Sequence, residues 1–250
     1  MNKWFKYQPI TVVFSDRPRW RLVFLNRMNC GNVSAMTTKL RGLIFDFDGT
    51  IANSLGDALG SFNYALAKLG EAPRTGDEIK RYFGMGADRI FTQLLGDRVI
   101  GLRAFELYKE HQRSNVHQVV LHEGIYDLLE RLAKASLPLG IVTGRHSEDL
   151  EILLSHHQLR SRFVAIISDD HVENSKPAPD GLHLALKQMK LVAADAAYVG
   201  DSVGDMEAAH AAGMIAIAAL WDPLVNRAAM EACKPHVMAT TPADVDEAFR

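Results

Sequence analysis

The sequence predicts an α/β fold, a Rossmann-like parallel-sheet core with a small helical cap subdomain inserted into it. Three observations lead there. Short, uninterrupted apolar runs recur along the chain, helical stretches separate the last four, and a long gap without any such run follows the first. A strand covered on both faces has no solvent side, so it reads as a continuous apolar run instead of an alternation. Such runs alternating with helices indicate a doubly wound parallel sheet.

In chain order, the first 35 residues stand apart, with six basic residues (Lys3, Lys6, Arg17, Arg19, Arg21, Arg27) against the single acid Asp16. Their aromatics, Trp4, Phe5 and Tyr7 among them, keep no clean period, and pieces such as Leu22 to Leu25 are too short for a signal-peptide core. Residues 1–38 are therefore expected to be a poorly ordered or non-native leader, with Met28 or Met36 as the working start. The predicted strands are Leu43 to Phe45, Leu139 to Val142, Phe163 to Ile167, Ala196 to Val199 and Met214 to Ala218. Helices are predicted between the last four, over Ser147 to His157, Pro179 to Lys190 and Val203 to Ala212. From Leu55 onward the gap reads as helices as well: Leu55 to Leu69, Gly76 to Phe83, Ala87 to Leu95, Val99 to Arg113, then Gly124 to Ala135. Leu59, Phe62, Tyr64, Ala65, Leu66 and Leu69 fit helical spacing. One crossover helix cannot use up such a length. The expected division is thus a core of residues 39–54 and 124–250, with a cap at 55–123 over the carboxyl edge of the sheet, where open α/β folds bind ligands.

Composition narrows the function. The formal net charge of −2 gives no electrostatic footprint for nucleic acid or for a membrane surface. Two cysteines, Cys30 and Cys233, make no disulfide framework and no metal-ligand spacing, which suits a reducing, cytoplasmic setting. The ten histidines form no metal-ligand helix spacing, and His117, His122, His156 and His157 are expected to be structural or exposed. Gly84 and Gly86 follow no strand, so a cap turn facing the substrate is the better reading than a dinucleotide loop.

Four segments at or near predicted strand ends carry chemistry. Asp46-Phe47-Asp48-Gly49-Thr50 ends the first run, and its two carboxylates can point into one site. Close carboxylates repel, and a hard divalent cation relieves them. Gly200-Asp201-Ser202-Val203-Gly204-Asp205 supplies two further acids where a helix opens, either as metal-site residues or as helix caps. Thr143-Gly144-Arg145 offers a hydroxyl and Gly-turn N–H groups to an anion. Lys176, on the proline-stiffened Lys176-Pro177-Ala178-Pro179 loop, can neutralise both aspartates and a phosphoryl group.

In this order, the four segments resemble the haloacid dehalogenase superfamily of aspartate-nucleophile phosphatases, over about residues 40–245. Arg81-Tyr82-Phe83-Gly84-Met85-Gly86, with Ile90 and Leu94-Leu95, resembles the cap of the phosphoglycolate phosphatase-like branch. The resemblance implies Asp46 as nucleophile and Asp48 as acid, then base. It implies Mg²⁺ held by Asp46, the Asp48 carbonyl and Asp201, with Asp205 supporting. Thr143, Gly144 and Lys176 would bind the transferring phosphoryl group. The expected partner is a small phosphorylated metabolite, with neither nucleic acid nor membrane, for a monomer or homodimer. Asp48 also disfavours dehalogenation, which needs no proton for an alcohol. Asn53, His122-Glu123-Gly124 and Thr143-Gly144-Arg145 depart from the branch pattern and leave the substrate open. The expectation is hydrolysis of a small phosphate monoester, with 2-phosphoglycolate the best candidate. A sugar-phosphate mutase, a pyrophosphatase and a non-catalytic phospho-ligand binder are the alternatives. Arg145 reaches either substrate or solvent.

Overall fold

The computed structural model describes residues 21–27 and 33–247. Strands β1 (Arg21–Arg27) and β2 (Val33–Lys39) pair antiparallel. The rest of the expected leader, residues 1–20 and 28–32, lies outside the described residues. The other strands are β3 (Gly42–Phe45), β4 (Ala52–Asn53), β5 (Val120–Leu121), β6 (Leu139–Val142), β7 (Ala165–Ile167), β8 (Ala196–Gly200), β9 (Ile215–Ala219) and β10 (Val237–Ala239). Six of them form one parallel sheet in the order β10-β9-β8-β3-β6-β7. Strand β3, which leads into Asp46, is thus central, flanked by the two strands that carry the Thr143 and Asp201 segments.

The apolar runs exist because both sheet faces are covered. Leu43 and Phe45 of β3 enter one buried cluster, with Ala197 and Val199 of β8. Ile44 enters the cluster on the opposite face, with Ala196 and Tyr198. Successive side chains point to opposite faces, so one strand serves both cores. Helices α5 (Ile125–Lys134) and α6 (Ser147–His156) supply the first cluster; α7 (Asp180–Met189) and α8 (Val203–Ala211) supply the second. The elements not legible in the sequence include α9 (Arg227–Ala232), β10 and α10 (Pro242–Glu247).

The cap elements α1 (Leu55–Lys68), α2 (Gly76–Lys80), α3 (Ala87–Leu95) and α4 (Arg98–Ser114) occupy the long gap. Local signals set their ends. Thr75 and Glu78 close a capping box on α2, and Asp97 accepts the Val99 and Ile100 N–H groups at the start of α4. Left-handed Gly96 ends α3. The cap has its own core, in which the Phe62 ring lies 4.6 Å from Phe91 and 4.8 Å from Tyr108, centroid to centroid. Full burial of one such ring contributes about 1.5–3 kcal/mol. β4 and β5 join antiparallel where the chain leaves for the cap and returns, so two short strands clamp the cap's stems together.

Candidate active site

Asp46 sits one residue past β3, and its N–H still donates to the Val199 carbonyl at 2.8 Å. The sheet ladder therefore holds the Asp46 backbone in place. The chain then turns back through Gly49, whose N–H donates to the Ala52 carbonyl at 2.8 Å. Gly49 has φ +78°, and a Cβ there would overlap the Asp201 carboxylate, so only glycine permits this approach. The turn brings Thr50 Oγ1 to donate to Asp201 Oδ1 at 2.8 Å. Trp221 Nε1 donates to the Thr50 carbonyl at 2.9 Å and pins the same turn from behind.

Lys176 is 6% exposed and carries the charge balance. Its Nζ donates to Asp46 Oδ1 at 3.0 Å, Tyr198 Oη at 3.0 Å and Asp205 Oδ1 at 2.6 Å. Asp205 Oδ2 meanwhile accepts from the Ser202 N–H at 2.9 Å and its hydroxyl at 2.6 Å. Both Asp205 oxygens are thus engaged. The helix cap that Asp201 or Asp205 was considered for is Ser202, with Asp205 as the third residue of its capping box.

Asp46, Asp201 and Asp205 each present an oxygen within 4.8 Å of the others. Three buried carboxylates share one lysine. Burial pushes the Asp46 carboxyl up to about 7 against the pull of Lys176, and Asp205 and Asp48 add to the rise. Burial, then Asp205 and Asp46, raise Asp201 well above the ordinary carboxylate range. Burial opposes the Lys176 charge, but Asp205 and Asp46 outweigh it and raise its pKa. This uncompensated negative charge on hard oxygen donors fits a divalent metal ion, with Asp46 and Asp201 free to ligate and Asp205 held behind them.

Asp48 is in a different environment. Burial would raise its carboxyl, yet the charge and hydrogen bonds of Arg145, with Ser54, hold it below the ordinary range. Arg145 Nε donates to Asp48 Oδ2 at 3.0 Å, Arg145 Nη2 donates to Oδ1, and Ser54 Oγ donates to Oδ1 at 2.6 Å. Thr143 is buried, and its Oγ1 accepts the Arg145 N–H at 3.2 Å. A Cβ on Gly144 would lie 2.8 Å from the Met85 carbonyl oxygen, so the cap loop rests directly on this turn.

Asp46, Asp48, Thr143, Gly144 and Asp201 therefore line one cavity of about 80 Å³, with Lys176 and Asp205 immediately behind it. Its other wall is cap: Leu55, Phe62, Phe83, Gly84, Met85, Ile90, Phe105 and Tyr108. Arg145, left between substrate and solvent by the sequence, has a side chain only 7% exposed and lines the cavity. Ser54, Tyr198, His146 and Gln112 escaped the sequence reading. Ser54 sits six residues after Asp48 and could have been found as a local partner. Tyr198 lies inside an apolar run, and Gln112 has no local motif. His146 faces Asp88 of α3 across the cap–core boundary at 3.4 Å, beside the ion pair between Arg89 Nε and Asp169 at 3.3 Å. Among the described residues, no helix is long and apolar enough to cross a membrane.

Comparison with known proteins agrees with this geometry. Residues 43–219 match the model of the haloacid dehalogenase-like hydrolase family. A phosphoglycolate phosphatase of Aliivibrio fischeri is 32% identical over 189 residues, covering 71% of this chain and 83% of that protein. An N-acetylmuramic acid 6-phosphate phosphatase of Pseudomonas putida is 31% identical, covering 70% of this chain and 80% of its own. A solved structure from Lactobacillus plantarum is 30% identical and superposes with a TM-score of 0.74, covering 84% of this chain and 99% of that one. With a parallel sheet, an aspartate at the end of its central strand and a helical cap over it, the chain belongs to the haloacid dehalogenase-like hydrolase family, among its phosphatases.

Proposed function

We propose that the protein is a Mg²⁺-dependent phosphatase of small phosphate monoesters, working through an aspartyl-phosphate on Asp46, with 2-phosphoglycolate the leading substrate. The observation that carries this is the pairing of Asp46 with Lys176 beside Asp201, facing a small cavity with a largely apolar cap wall. Such a cavity suits a leaving group of few atoms. Mg²⁺ would be held by Asp46, Asp201 and the Asp48 carbonyl, and it would neutralise charge on the nucleophile and the phosphoryl oxygens.

In the first half-reaction an Asp46 oxygen bonds to phosphorus as the ester P–O bond breaks, and the departing oxygen takes a proton from Asp48. In the second, Asp48 takes a proton from water, whose oxygen bonds to phosphorus. The Asp46–phosphorus bond then breaks and phosphate leaves. Lys176 holds Asp46 in line, and Thr143 and the Gly144 N–H face the transferring oxygens.

The test is phosphate release by the full chain with Mg²⁺ from a panel: 2-phosphoglycolate, N-acetylmuramic acid 6-phosphate, pyrophosphate and sugar phosphates. Turnover of 2-phosphoglycolate, lost by at least about 10³-fold in Asp46→Asn, is expected from removal of a covalent nucleophile. Full turnover by Asp46→Asn would overturn the mechanism, and release from no ester would overturn the function.

A further inference from the structure

The cavity contains a guanidinium to which the reaction above gives no task. Arg145 binds both Asp48 oxygens through Nε and Nη2, while its Nη1 donates to Gln112 Oε1 at 2.7 Å. Gln112 lies on cap helix α4 and is 5% exposed. Its Nε2 donates to Asp57 Oδ2 at 2.6 Å and Ser61 Oγ at 3.1 Å, both on cap helix α1. Arg145 therefore bridges core and cap.

This grip constrains Asp48 in the acid role. Oδ1 already accepts from Arg145 and Ser54, and Oδ2 accepts from Arg145. Three of the roughly four lone-pair sites of this carboxylate are thus occupied, so Arg145 and Ser54 together restrict how a leaving oxygen can approach it. Release of one oxygen by Arg145 would open that approach. A buried guanidinium left without an anion is strongly unfavourable, so it releases Asp48 only for another anion.

Resting on the phosphatase reading, we infer that Arg145 is the specificity-determining residue for an anionic arm, a carboxylate, on the leaving group, and that exchanging Asp48 for this arm frees Asp48 to act. The planar fork that now grips one carboxylate matches a second one equally well. Gln112 keeps Nη1 while Nε and Nη2 change partner, so it acts as a positioning residue and supplies a pivot from the closed cap. The apolar cap side chains Leu55, Phe62, Ile90 and Phe105 on the same wall offer an anion nothing. Neutral esters can still enter, but they leave Arg145 on Asp48.

Steady-state kinetics of the full chain with Mg²⁺ tests this, comparing 2-phosphoglycolate with ethyl phosphate, which replaces the carboxylate by a methyl group. The wild type should prefer 2-phosphoglycolate by about 100-fold or more, much of it in kcat. Para-nitrophenyl phosphate, whose leaving group needs no acid, should show a smaller kcat deficit than ethyl phosphate. Arg145→Met should lower turnover of 2-phosphoglycolate and raise that of ethyl phosphate, collapsing the preference. Arg145→Lys, which keeps the charge without the fork, should collapse it in part and serves if the methionine variant does not fold. Equal loss on both esters, with the preference intact, would overturn the inference while leaving the phosphatase reading standing. Release of phosphate from neither ester by the wild type would overturn both.

Discussion

Replacing Lys176 by methionine is the sharpest test of the charge balance at the centre of this site. Methionine keeps much of the length of the stem and fills the space, but it leaves Asp46, Asp205 and the Tyr198 hydroxyl without the donor that now sits 2.6–3.0 Å from each. Breaking one partner out of a buried ion pair costs about 3–5 kcal/mol, because the remaining charge stays desolvated. Asp205 is fully buried and Asp46 6% exposed, so neither recovers much hydration. For a chain of this length such a loss lowers the melting temperature by roughly 6–20 °C. The measurement is thermal unfolding of wild type and variant in a chelator, repeated with saturating Mg²⁺. The chelated variant should show the full loss. Mg²⁺ should raise the melting temperature of the variant more than that of the wild type, because the missing cation is part of what the metal replaces. A change under about 1 kcal/mol in chelator, or an equal Mg²⁺ effect on both proteins, would refute the reasoning that three carboxylates compete for one lysine.

The same balance predicts a pH dependence. Burial first, then Asp205 and Asp48, lift Asp46 to about 7 despite Lys176, so the folded, metal-free protein holds a proton there that the unfolded chain has already released. Its stability should therefore fall as pH rises from about 4 to about 7, and a denaturant series in chelator should show that slope reduced once Mg²⁺ is present. At the cap–core contact, Gly144→Ala would set a methyl group 2.8 Å from the Met85 carbonyl and 3.1 Å from that of Gly84. Both are backbone atoms, so the cap must back away at a cost of about 1–3 kcal/mol. Tenfold or greater weakening of substrate KM, with a melting temperature lower by roughly 2–12 °C, is expected, and an unchanged KM would show that the cap does not close on this turn.

Parts of the molecule were legible for identifiable physical reasons. The predicted strands fell within a residue or two of β3, β6, β8 and β9, because each is buried on both faces and needs an unbroken apolar run. The cap helices were readable from their periodic faces and end signals, α3 over Ala87–Leu95 most cleanly. β4 and β5 were not, since two residues each carry no period and pair only because the cap's stems meet. β10 was missed for a related reason: Val237–Ala239 is three residues long, and two of them are only half-buried. The side chains around Asp48 divide in the same way. Ser54 is a neighbour in sequence, but Arg145 comes from 97 residues away, and Gln112 reaches Arg145 from 33 residues before it.

What the sequence determined by itself is the chemistry available: carboxylates, a hydroxyl and a lysine at or beside strand ends, in an order whose resemblance named the family. Short-range rules suffice for that, because strand burial, turns and caps are each written in a few adjacent residues. The tertiary structure decided how that chemistry is partitioned. It engaged both Asp205 oxygens, left Asp46 and Asp201 short of positive charge, and set Arg145 on Asp48 under the control of a cap glutamine. Those outcomes depend on burial and on distances between segments far apart in the chain, and electrostatic energies in a buried site are governed by both.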